Sequence, residues 1–155
     1  MRKLDIPYFK QPNEHWCGPT ALKMFLGAFN SQRVSLAQLA RWAGTTRRNG
    51  TPARGMITAA RRAGQDVQTK QGATLRDIAT FMGANLPVIV SFKDPNDGEG
   101  HYAVVVGLSQ CRIYLHDPYY GRHCSYTLPN FYRLWSAHTH NRWMMYAVWR
   151  RITKR

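Results

Sequence analysis

A thiol attacks a carbonyl carbon well only as thiolate, so a cysteine that does chemistry needs a setting that favours the anion. The chain has three cysteines, Cys17, Cys111 and Cys124. Cys17 precedes Gly18-Pro19 and a run in which Ala21, Leu22, Met24, Phe25 and Ala28 recur at helical spacing. Pro19 suits the first turn of a helix, where its missing N–H loses nothing. Cys17 therefore stands at a helix start, where the macrodipole favours negative charge. Cys111 and Cys124 are read as ordinary thiols, and an odd number leaves at least one unpaired.

A base for this thiol is expected far along the chain. His101 opens the most β-branched run, His101-Tyr102-Ala103-Val104-Val105-Val106-Gly107, directly after a polar loop. Asp117 ends the next such run, Arg112-Ile113-Tyr114-Leu115-His116-Asp117, before Pro118. The two runs are close enough to form a hairpin through Leu108-Ser109-Gln110. In a hairpin the start of one strand lies beside the end of the next. Asp117 is then expected to take an imidazole N–H of His101, fixing its tautomer and orientation. Cys17, His101 and Asp117 thus read as nucleophile, base and orienter. Gln11, six residues before Cys17, adds an amide that with the Cys17 backbone N–H would stabilise a tetrahedral oxyanion. Losing one such donor typically costs ~100- to 1000-fold in rate. Plain structural readings compete: a buried thiol for Cys17, a strand-end ring for His101, an Asp-Pro turn former for Asp117.

The elements that must hold these groups divide by texture. Helices are predicted over Gly18–Phe29, from the Ser35 cap through Trp42, over Pro52–Ala63, and over Leu75–Met82 behind a Thr74 cap. Gly44, Gly64 and Gly83 close the last three. Strands follow at Pro87–Phe92, His101–Gly107, Arg112–Asp117 and Met144–Arg151. Polar loops span Thr45–Pro52 and Lys93–Gly100. A helical part followed by antiparallel strands predicts an α+β fold with the cleft between the two parts. No repeat, low-complexity tract or linker interrupts the chain, so residues 1–155 are expected to form one domain. Trp16, Tyr119 and Tyr120 are candidates for the cleft wall, with core as the alternative. His116, next to Asp117, is expected on the opposite sheet face.

The formal net charge is +14. No acidic residue lies between Glu14 and Asp66, and none follows Asp117. Such a field attracts acidic proteins, nucleic acid or anionic membrane, while a solvated surface is the bland alternative. No nucleic-acid-binding motif is present, which leaves nucleic acid unsupported as a partner. No apolar run approaches the ~20 residues that cross a bilayer, and no signal peptide is read at the start. There is no Cys-x-x-Cys and no zinc-ligand spacing. His138-Thr139-His140 supports a metal only poorly. No metal or organic cofactor is expected. A reducing compartment, by default the cytoplasm, fits the cysteine usage, with export by a leaderless route as the alternative.

Pro7-Tyr8-Phe9-Lys10-Gln11 followed by Cys17-Gly18-Pro19-Thr20-Ala21 resembles the opening of the bacteriocin-processing, double-glycine-leader peptidases and their stand-alone relatives, within the papain-like superfamily. Leu86-Pro87-Val88-Ile89-Val90 resembles the family's central strand, Gly100 to Gly107 its histidine motif, and Asp117-Pro118 its aspartate motif. The resemblance runs from about Leu4 to about Trp135. It implies a papain-like fold, with Gln11 in the oxyanion hole, Cys17 as nucleophile, His101 as base and Asp117 as orienter. The best-known members are domains of ATP-driven peptide exporters. This chain has neither membrane spans nor a Gly-x-x-x-x-Gly-Lys phosphate loop, and is expected to be a free-standing form.

The implied activity is peptide-bond hydrolysis through an acyl-thioester on Cys17, with a peptide or protein substrate. The same groups serve a deamidase or a transglutaminase-like effector or toxin, since a side-chain amide or another acceptor needs no new machinery. A basic binding module without catalysis is the third reading.

Overall fold

The computed structural model describes residues 3–29 and 33–148. The order of elements is α1 (Cys17–Gly27), α2 (Leu36–Trp42), α3 (Ala53–Arg62), β1 (Val67–Lys70), α4 (Leu75–Gly83), β2 (Val88–Lys93), β3 (Gly100–Leu108), β4 (Arg112–Asp117), β5 (Gly121–Thr127), α5 (Leu128–Ala137) and β6 (Trp143–Ala147). The strands form one sheet in the order β1-β6-β2-β3-β4-β5, and every pairing is antiparallel. This is the expected α+β arrangement.

Strand alternation sends neighbouring residues to opposite faces. Tyr102, Val104 and Val106 of β3 join Ile89 of β2 and Met145 of β6 in a core with α1, α2 and α3. Ala103 and Val105 join Val88, Val90 and Phe92 in a second core, closed by Ile78 of α4 and by Phe131, Leu134 and Trp135 of α5. Helices thus cover both faces, which is why β2 and β3 read as nearly unbroken apolar runs. In α1 nearly every residue from Gly18 to Leu26 is buried, so this helix is an internal post rather than a surface element.

Side-chain caps explain several of the helix starts. Ser35 accepts a hydrogen bond from the Gln38 amide, and Thr74 and Asp77 form a reciprocal capping box at α4. Helix α1 ends at Gly27, before the predicted Phe29, because Ala28 and Phe29 bond back to Phe25 and Leu26 in a tightened last turn. The predicted Met144–Arg151 strand begins one residue earlier, at Trp143, and residues 149–151 lie outside the described part. Strands β1 and β5 and helix α5 were not predicted. Among the described residues no helix is long and apolar enough to cross a membrane.

Candidate active site

Cys17 is the first residue of α1, and no side chain caps that helix. The first N–H groups of a helix have no intrahelical partner, so an uncapped start presents donors and positive potential beside the thiol. The loop before α3 comes close here. A Cβ on Gly18 would lie 2.5 Å from Thr51 Oγ1, so glycine is what allows the loop to lie against the helix start. Thr51 is held in turn by a 2.8 Å hydroxyl contact with Thr45 and by Tyr102, whose hydroxyl donates to the Thr51 carbonyl at 2.9 Å.

His101 and Asp117 meet across two interior strands. The imidazole Nε2 is 2.7 Å from Asp117 Oδ1. Asp117 is fully buried, and the turn after it folds onto the same oxygen: the Tyr119 and Tyr120 amides donate to Oδ1 at 2.8 and 3.0 Å. Tyr8 donates its hydroxyl to the Asp117 carbonyl at 2.7 Å. With Nε2 committed to Asp117, Nδ1 is the nitrogen left for the thiol. Burial disfavours the charged ring, yet hydrogen bonds with Asp117 and Cys17, and the charges of both, raise the His101 pKa to about 10.

Gln11 is tied to this corner by its backbone, whose N–H donates to the Pro118 carbonyl at 2.9 Å. Its side chain is buried. Nε2 donates to the Asn13 carbonyl at 2.7 Å, and Oε1 has no partner among the described residues. One amide hydrogen is therefore engaged locally, and the second is free to point at a ligand. Gln11, Cys17 and His101 all line one cavity of about 1030 Å³.

The remaining sequence candidates separate clearly. Tyr119 and Tyr120 line the cavity, whereas Trp16 is not among its walls. His116 turns away from Asp117 and bonds the Ile6 carbonyl at 3.1 Å. Burial, outweighing that bond, lowers its pKa to about 4. His138 and His140 sit on the cavity wall as a ring pair 5.2 Å apart. Among the described residues no three His, Cys, Asp or Glu side chains converge to hold a metal. Cys111 is exposed and Cys124 half-buried, and neither lines this cavity. Sequence reasoning did not single out Tyr8 or Asp94. Tyr8 falls in the Pro7–Gln11 stretch with no signal of a role, and Asp94 in the polar Lys93–Gly100 loop.

Residues 3–145 match the model of the Peptidase_C39 like family, and the chain belongs to that family. Solved structures share its fold. A double glycine motif protease from an AMS/PCAT transporter, crystallised in complex with the leader peptide, superposes with a TM-score of 0.72 at 20% identity, covering 94% of each chain. The peptidase domain of Streptococcus ComA, a bi-functional ABC transporter involved in quorum sensing, gives 0.71 at 21% identity over 96% of this chain and 98% of that one. A C39-like peptidase from Bacillus anthracis gives 0.76 at 16% identity over 97% and 99%. No curated protein matches the chain by sequence. The architecture is thus that of the papain-like C39 peptidases.

Proposed function

We propose that this chain is a cysteine peptidase that hydrolyses a peptide bond through an acyl-thioester on Cys17. The observation that supports it most is the His101 ring, hydrogen-bonded to buried Asp117 at 2.7 Å and close enough to Cys17 for the thiol to stabilise its charged form.

In this reading the Cys17 thiolate attacks the scissile carbonyl carbon, and the carbonyl electron pair moves onto oxygen. The Cys17 backbone N–H and the second Gln11 amide hydrogen receive that oxyanion. As it collapses, the C–N bond breaks and His101 gives its proton to the leaving amine. Water then attacks the thioester carbon, His101 takes the water proton, and collapse of the second tetrahedral intermediate breaks the C–S bond, releasing the acid product and regenerating the Cys17 thiolate. Asp117 keeps Nδ1 of the ring aimed at sulfur throughout. Atoms and charge balance with water as the sole co-reactant.

The substrate is a peptide or protein segment laid along the cavity. Arg47 and Arg48 stand on one of its loops, and Asp94 and Glu99 on another, so the walls carry both signs of charge. The test is incubation of the protein with a peptide pool and mass spectrometry of the products. New chain ends with the native protein, absent with Cys17→Ala and with His101→Ala, are expected. Ammonia release without chain cleavage would replace peptidase by deamidase, and products that persist in Cys17→Ala would remove the thiol from the reaction.

A further inference from the structure

Tyr120 does two things at once. Its backbone N–H donates to Asp117 Oδ1 at 3.0 Å, and its ring stands edge-on to the His101 ring with centroids 6.2 Å apart. Its hydroxyl reaches away from the His101–Asp117 pair to a different loop. There it donates to the Asp94 carboxylate, with Oδ1 at 3.0 Å and Oδ2 at 2.9 Å, and accepts from Asn96 Nδ2 at 2.7 Å.

Asp94 is an odd residue to find there. It is only 5% exposed, and a buried carboxylate is costly unless hydrogen-bonded. Its carboxylate is met by the phenol and by the Asn96 backbone N–H, which donates to Oδ1 at 2.8 Å. The loop that carries it is braced without Tyr120: the Asp94 amide donates to the Glu99 carbonyl at 2.8 Å and the Gly98 amide to the Asp94 carbonyl at 3.0 Å. The loop can therefore act as a fixed anchor. The piece that the Asp94 bond restrains is the tyrosine ring, 40% exposed on the cavity wall. A charge-assisted hydrogen bond is among the stronger restraints available for such a ring.

We propose that Tyr120 is a positioning residue: latched by Asp94, its ring covers the His101–Asp117 hydrogen bond and holds the His101 imidazole in place for Cys17. The role assigned to His101 rests on the peptidase reading, while the latch rests on the hydrogen bonds of the Tyr120 phenol to Asp94. Releasing the phenol frees the ring, admits water to the hydrogen bond and loosens the imidazole.

The experiment follows the His101 Nε2 proton in histidine-labelled protein by NMR, alongside the rate of Cys17 alkylation by iodoacetamide. Tyr120→Phe keeps the ring and the backbone amide and removes only the latch. It is expected to speed solvent exchange of that proton by about tenfold or more, and to slow alkylation about tenfold through imprecise placement, with a modest fall in melting temperature from the buried Asp94 carboxylate that loses the phenol. Asp94→Asn keeps an oxygen for the phenol and should stay within about threefold of native. Joining Tyr120→Phe to Asp94→Asn should add nothing to Tyr120→Phe alone, since both act through one contact. An unaltered His101 proton in Tyr120→Phe overturns the latch, and so do additive losses in the double variant. If native Cys17 shows no selective alkylation while the proton still responds to Tyr120→Phe, the latch stands and the peptidase reading falls.

Discussion

His101 is where burial and hydrogen bonding oppose each other. Burial alone would lower its pKa, but the Asp117 and Cys17 hydrogen bonds raise it from 6.5 to about 10. A folded pKa above the unfolded one means that the charged ring adds stability. That contribution is fully present below about 6.5 and is lost as pH rises through about 10. Asp117→Asn should therefore destabilise most at or below neutral pH, with the gap to native closing toward pH 10, as urea unfolding across pH would read. A gap that widens with pH would contradict this charge assignment. In the pH profile of peptide hydrolysis, where the leaving amine needs the His101 proton, Asp117→Asn should bring the alkaline limb down from near 10. Gln11, Cys17, His101 and Asp117 could be picked out from sequence because each stands at a helix start, a strand end or a short offset from one. Asp94 could not. Its partner Tyr120 is 26 residues away, and nothing in an Asp-Pro turn says that its carboxylate is buried.

At the scale of elements, the cleft depends on loops that touch without spare room. Gly100, at the start of β3, lies directly against the His138 ring, in the space a Cβ would need. His138 follows α5 and is held by the His140 amide, which donates to its Nδ1 at 3.1 Å. Gly100→Ala should push this ring and its segment out of place, with an overpacking penalty of about 1–3 kcal/mol. Adding His138→Ala should recover most of the lost stability, measurable by denaturant titration. No recovery would mean that the strain lies in the β3 backbone. At α4, Thr74→Ala removes the cap acceptor and should cost about 1 kcal/mol. The legible elements had strong signals: caps at Ser35 and Thr74, and apolar runs in β2 and β3. Strands β1 and β5, Val-Gln-Thr-Lys and Gly-Arg-His-Cys-Ser-Tyr-Thr, lie at the two sheet edges and carry too little apolar alternation to read as strands. Helix α5 did carry a pattern, with Thr127 capping it and Phe131, Leu134 and Trp135 on one face. Its ten residues of mixed polarity are obscured by the aromatic and histidine-rich flanks.

For the whole molecule, the net charge of +14 describes the distant field rather than the cleft. The chain has eight acidic residues, and Glu14, Asp94, Asp97 and Glu99 all line the cavity. Far from the surface an acidic polypeptide is attracted. Inside the cleft the charges are mixed. Added salt should therefore raise KM for an acidic substrate several-fold by screening the approach, while kcat changes little and a neutral peptide is nearly unaffected. Steady-state kinetics at about 0.05 M and about 0.5 M salt would show it. Equal salt effects on both peptides would place the controlling charges within the cleft instead. The charge asymmetry was plain in the sequence. The gathering of acids at the cavity was not, because Glu14 and the Asp94–Glu99 loop are far apart along the chain and meet only when the sheet is formed.

The most direct test of the peptidase chemistry is the site of alkylation. Native protein treated briefly with iodoacetamide near neutral pH should carry the label on Cys17, ahead of exposed Cys111, and His101→Ala should abolish that preference. Slow, equal labelling of all three cysteines, indifferent to His101→Ala, would contradict it.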